Sequence, residues 1–97
     1  MIRTYIISDR NVVGLLLLLR CRGRICSSDM LLVNSDYGRV NKTAHFLMRS
    51  GLLEKEIADD HRNKIYWTIT ETGKVLANIT HDLEYELERC ARNGKVL

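Results

Sequence analysis

Proline is absent from this 97-residue sequence. No low-complexity stretch interrupts it either, so segmentation rests on hydrophobic period and on Gly, Ser, Asn and Asp punctuation. Cysteine is sparse and odd in number, and Cys21, Cys26 and Cys90 cannot all pair within one chain. Cys21 and Cys26 have no second Cys or His pair nearby to complete the four ligands of a zinc site. No metal is expected, and reduced, buried thiols are the simpler reading. A long apolar run is also missing. Val12 to Leu19 falls far short of the roughly 20 residues that span a bilayer. It is preceded by Asp9 and followed by Arg20, Cys21, Arg22, Gly23 and Arg24 rather than by a small-residue cleavage site. The expectation is an intracellular, cytoplasmic chain (in a host cell if viral) with no membrane partner. There is no glycine-rich phosphate loop and no metal-ligand cluster, and carboxylates pair only in the acidic tail and at Asp59-Asp60. Neither an enzyme nor a cofactor is expected.

What is present suits one compact domain. The length supports a single core, 45% hydrophobic residues argue against disorder, and 28% charged residues supply a solvated surface. The formal charge of +3 leans basic, and its placement says more than its size. Basic residues gather at Arg20, Arg22 and Arg24, along Arg39, Lys42 and Arg49, and at Arg62 and Lys64, whereas Glu84, Glu86 and Glu88 make the tail acidic.

The segments are short and well marked. Ser8 or Asp9 caps a first helix, Arg10 to Cys21, apolar on nearly every face and therefore central to the core; Gly23 ends it. Ser27 and Ser28 precede Asp29 to Val33, an apolar stretch read as a second helix of about two turns. Asn34, Ser35 and Asp36 form a turn, and Asp36 caps a third helix from Tyr37 to Ser50 that stops at Gly51. Leu53 to Ile57 and Ile65 to Ile69 read as a two-stranded hairpin with a polar loop carrying His61 and Arg62. Thr70 caps a last helix from about Glu71 toward Arg92.

Helical phase sorts the third helix into two sides. Val40, Ala44 and Leu47 form an inward stripe margined by Thr43 and Met48. Gly38, Lys42, His45 and Arg49 face the other way, flanked by Arg39, Asn41 and Phe46. Cations, amide and imidazole without an acid make a face suited to an anion. Phe46 is out of place there, and either the hairpin covers it or the phase is slightly off. Trp67 shares a strand face with Ile65 and Ile69, which makes it core rather than a stacking platform. On the last helix Leu76, Ile79, Leu83, Leu87 and Cys90 recur at steps of three, four, four and three, a seam that needs a partner. Its first half can pack on the domain itself, but its second half extends past so small a body, which favours dimerisation. His45 and His81 are taken as packing or surface histidines without a sensing role.

Three local patterns carry a resemblance. Val40, Ala44 and Leu47 followed by Gly51-Leu52-Leu53, then Asp60-His61-Arg62, then Ile69-Thr70-Glu71-Thr72-Gly73-Lys74, resemble the recognition helix and wing of winged helix-turn-helix transcription regulators of the MarR and PadR type. The match runs from about Asp9 to Asn78. It implies an α+β fold, a three-helix core plus a two-stranded wing, with residues 1–74 as the DNA-binding domain and 75–97 as a C-terminal dimerisation helix. There is little room for the long N-terminal helix and ligand pocket of full-length MarR proteins. In this respect the chain is closer to small archaeal or viral winged-helix proteins with a C-terminal dimerisation helix.

The resemblance implies a double-stranded DNA partner. The recognition helix enters the major groove, where Asn41 can pair with adenine and Arg39 or Lys42 with guanine, and Gly38 lets the backbone approach a phosphate. His45 and Arg49 share that face. Ser28, Tyr37, His61, Arg62 and Lys64 are phosphate-contact candidates. Two alternatives stand beside this reading: a winged-helix protein-interaction module whose basic face is incidental, and a sequence-independent architectural DNA-binding protein.

Overall fold

A computed structural model describes residues 3–59 and 64–94. It places α1 at Arg10–Arg22, β1 at Arg24–Cys26, a 3-10 segment η1 at Ser27–Leu32, α2 at Tyr37–Arg49, β2 at Leu53–Ile57, β3 at Ile65–Ile69 and α3 at Glu71–Gly94. Asp60, His61 and Arg62 lie outside the described residues, so the expected wing tip does too. No described helix is long and apolar enough to cross a membrane.

The leucine run of α1 makes the centre of the core. Asp9 caps the helix by accepting the Asn11 N–H at 2.9 Å, and Gly23, at φ +74°, closes it in the left-handed region that glycine tolerates. Leu15 and Leu19 are fully buried, and Val12 and Leu16 nearly so. Each buried leucine contributes roughly 1.5–3 kcal/mol. Gly14 is set by packing, because a Cβ there would lie 2.7 Å from Val33 Cγ1.

The reversal at Gly23 adds a strand that the hairpin reading did not contain. β1 pairs antiparallel with β3 through Ile25 and Trp67, and β3 pairs antiparallel with β2 from Leu53↔Ile69 to Ile57↔Ile65. The sheet order is β1-β3-β2. The side chains of Ile25, Leu53, Trp67 and Ile69 pack inward and are buried. With three residues, β1 is too short to display an alternating pattern.

The second helix is also corrected, since η1 is a 3-10 segment of six residues. Asp29 Oδ2 accepts the Cys26 N–H at 3.1 Å, and the Val33 N–H reaches back only to Met30 O at 2.9 Å. Met30 is its one buried residue, whereas Leu31 and Leu32 are exposed. A segment with so little to bury does not repay α-helix nucleation and settles into the tighter turn.

Three polar residues tie the following turn to α1. Asn34 donates its side-chain N–H to Oδ1 of buried Asn11 at 3.2 Å, and its own Oδ1 accepts the Asp36 N–H at 3.0 Å. Asp36 in turn caps α2 by accepting the Arg39 N–H. Burial of Val40, Thr43, Ala44 and Leu47 confirms the phase of α2.

Gly51, at φ +82°, turns the chain from α2 into β2. Thr70 then joins this corner to α3, donating its hydroxyl to Gly51 O at 2.8 Å and accepting the Gly73 N–H at 3.0 Å. A Cβ on Gly73 would run into the Leu52 carbonyl oxygen, so the first turn of α3 can lie flat on the corner only as glycine. Gly73 and Ala77 are the buried residues of α3, and Arg20 Nε donates to Asn78 Oδ1 at 2.8 Å. From Asp82 to Asn93 every residue is exposed. The longest dimension, 56 Å against 29 and 27 Å, accords with a 24-residue helix that outruns its domain.

Candidate nucleic-acid interface

The outward face of α2 follows from the inward stripe. With Val40, Ala44 and Leu47 buried, the opposite side is centred on Gly38, Lys42 and Arg49, all exposed. Tyr37 and Arg39 are exposed near the helix start, Lys42 and Phe46 line a pocket with Tyr5 and Ile6 of the N-terminal segment, and Asn41 and His45 are half-buried, His45 against the sheet residue Trp67. No wing residue among the described ones lines the pocket that holds Phe46, and the burial of Val40, Ala44 and Leu47 leaves the helix phase as read.

Ion pairing separates the cations. Arg39 meets Asp36 at 3.2 Å, so the N-cap puts an acid at the edge of a face the sequence suggested was free of one. Arg22 pairs with Asp29 at 3.5 Å and Arg24 with Glu56 at 3.3 Å. All three pairs are solvated and add little stability. Lys42 and Arg49 have no carboxylate partner among the described residues. Their charge is available to an approaching anion.

Other predicted residues gather at the base of the wing. Ser28 and Lys64 line one shallow cavity of about 310 Å³ with Cys26 and Ile65. Ser28 is held by its neighbour, its hydroxyl lying 3.0 Å from Cys26 Sγ, and the Lys64 carbonyl accepts the Ala58 N–H at 2.7 Å, closing the described part of the hairpin. Trp67 is fully buried and donates its indole N–H to Ser27 Oγ at 3.2 Å, tying the sheet to η1.

Sequence reasoning missed Lys55. It lies on β2 directly opposite Trp67, and its Nζ reaches 3.2 Å from His45 Nε2. Helical phase put His45 on the open face, but it could not show that a strand residue crosses to meet it. No group of three or more His, Cys, Asp or Glu side chains able to hold a metal occurs among the described residues. Cys21 and Cys90 are exposed and Cys26 is half-buried, so the expected burial of the thiols does not hold.

Helix, turn, helix and a strand pair closed by the Thr70 corner define a winged helix-turn-helix. No family model matches the sequence, and no curated protein does. Solved structures share its fold at low identity. Apo wild-type MarR from E. coli matches with a TM-score of 0.75 at 17% identity, over 89% of this chain and 64% of MarR. A transcriptional regulator homologue from Pyrococcus horikoshii OT3 matches at 0.73 and 19%, over 98% of this chain and 92% of that one. BpsR from Bordetella bronchiseptica, whose DNA binding is regulated by 6-hydroxynicotinic acid, matches at 0.73 and 20%, over 91% and 67%. The fold is therefore that of MarR-type transcriptional regulators, as the sequence patterns implied. The chain spans under two thirds of MarR but nearly all of the Pyrococcus protein.

Proposed function

We propose that this chain is a DNA-binding transcription regulator that works as a homodimer inside the cell. The observation that carries this reading is the exposed face of α2, where Gly38, Lys42 and Arg49 stand clear on a MarR-type fold. In this reading α2 enters the major groove, with Arg39, Asn41 and Lys42 toward base edges and Arg49 and Tyr37 toward the backbone. Ser28 and Lys64, together with His61 and Arg62, hold phosphates. Residues 1–74 bind DNA and residues 75–97 serve dimerisation.

The second copy is proposed for the seam on α3. Leu76, Ile79, Leu83 and Leu87 are 39%, 58%, 48% and 58% exposed, and Cys90 is exposed as well. They share one side of α3, centred about a third of a turn from Ala77, which faces the chain's own core. Leu76 and Ile79 line an apolar groove of about 380 Å³ with Ile6, Ile7 and Phe46, which extends the seam toward the N-terminal segment. A symmetric partner would cover both.

The test is selection from random duplex DNA at low and moderate salt, with sequencing of what is retained. An enriched palindromic motif is the expected result. Salt-sensitive retention without enrichment would make the chain an architectural protein, and no retention at low salt would favour a protein-interaction module.

A further inference from the structure

The contact between α2 and β2 builds a site that the recognition-helix reading does not include. His45 packs edge-on against buried Trp67, ring centroids 5.1 Å apart at 84°. Its Nδ1 lies 2.8 Å from the Asn41 carbonyl oxygen. That oxygen can only accept, so Nδ1 carries a proton, and in the neutral imidazole Nε2 then presents a lone pair. Facing this lone pair at 3.2 Å is Lys55 Nζ, an ammonium that can only donate. The same ammonium lies 5.7 Å from the Trp67 ring centroid, and the Lys55↔Trp67 register fixes its backbone.

These contacts hold a flexible lysine in one place without neutralising it. One of its three N–H bonds goes to a neutral imidazole, leaving two for a partner. No carboxylate pairs with it among the described residues, and the side chain remains exposed. On β1, by contrast, Arg24 is engaged by Glu56 and by the Tyr66 ring at 4.1 Å. His45 shares a stripe of α2 with Lys42 and Arg49. Lys55 therefore widens the cationic face on its sheet side, where α2 meets the wing.

We infer that Lys55, positioned by His45, is a phosphodiester-binding site at the junction of α2 and the wing. This inference rests on the DNA-binding reading above. It gives His45 the role of a positioning residue whose ring nitrogens are already engaged, rather than that of a base reader. A pre-placed ammonium loses less freedom when it meets an anion, and each phosphate so neutralised adds about 0.9 to the slope of log affinity against log salt.

The experiment measures duplex affinity across a salt series for the natural chain, Lys55→Gln, Lys55→Arg and the remote control Lys74→Gln. Lys55→Gln is expected to lower the slope by about one unit, Lys55→Arg to restore it, and the control to match the natural chain. Equal slopes for Lys55→Gln and the natural chain would overturn the site while leaving the DNA reading intact. A natural chain with no salt-dependent binding would overturn both. Nitrogen-15 spectra of the imidazole supply a second measurement on unaltered protein. The Nδ1–H tautomer of His45 is expected, with its signals moving on addition of a short duplex. An Nε2–H tautomer, or signals indifferent to DNA, would overturn the positioning role.

Discussion

Gly73 shows how one residue can decide the join between two parts of the molecule. Its missing Cβ lets the first turn of α3 rest on the Leu52 carbonyl, and Thr70 holds the corner from both sides. Gly73→Ala is expected to destabilise the protein by roughly 1–3 kcal/mol, as overpacking does, and thermal unfolding would measure it. An unchanged midpoint would mean that the corner yields more easily than its contacts suggest. On the exposed face of α2, removal of the Lys42 and Asn41 side chains is expected to cut discrimination between target and random duplex more than it cuts overall affinity. Competition binding checks this. Equal losses on both duplexes would assign these residues to the backbone instead. Much of this detail was legible in advance: the inward stripe Val40, Ala44 and Leu47 and the Thr70 cap stand as read. Lys55 was not, because strand periodicity marks which face a side chain takes and says nothing of what a neighbouring helix brings to it.

At the scale of elements, the orientation of α2 depends on a chain of short polar contacts rather than on bulk. Asn11, Asn34 and Asp36 connect α1 to the turn and the turn to the helix start. Asp36→Ala is expected to lose about 1 kcal/mol of stability, the usual worth of an N-cap. It also frees Arg39 from its ion pair, so affinity for random duplex should rise or hold while stability falls. Parallel losses in both would show that the cap matters to binding mainly through helix order. The elements that sequence misjudged are the three-residue β1 and the six-residue η1. β1 has one buried side chain, Ile25, and η1 has one, Met30. A single buried residue carries no period, so neither type can be read from pattern.

The whole molecule is asymmetric in how it uses its apolar surface. α1 leaves no valine or leucine exposed, whereas α3 buries Gly73 and Ala77 and leaves its leucines outward. Tyr5, Ile6 and Ile7 are exposed as well. Monomeric proteins rarely leave such continuous apolar surface uncovered. Sedimentation equilibrium is expected to give twice the chain mass for the natural protein and the single mass for Leu83→Asp. A natural chain that sediments as a monomer would remove the dimer from the proposal.

Local order was present in the residues themselves. The leucine run, the caps at Asp9, Asp36 and Thr70, and the alternation of Ile65, Trp67 and Ile69 specify helices and strands through contacts made within a few positions of each other. Contacts far apart in the chain came only with folding. β1 reaches β3 across some 42 residues, as in Arg24↔Thr68 to Ile25↔Trp67, the α3 seam turns away from its own core, and Lys55 meets His45. Each depends on how whole elements pack, and packing is set by the sum of many weak contacts that no short window contains.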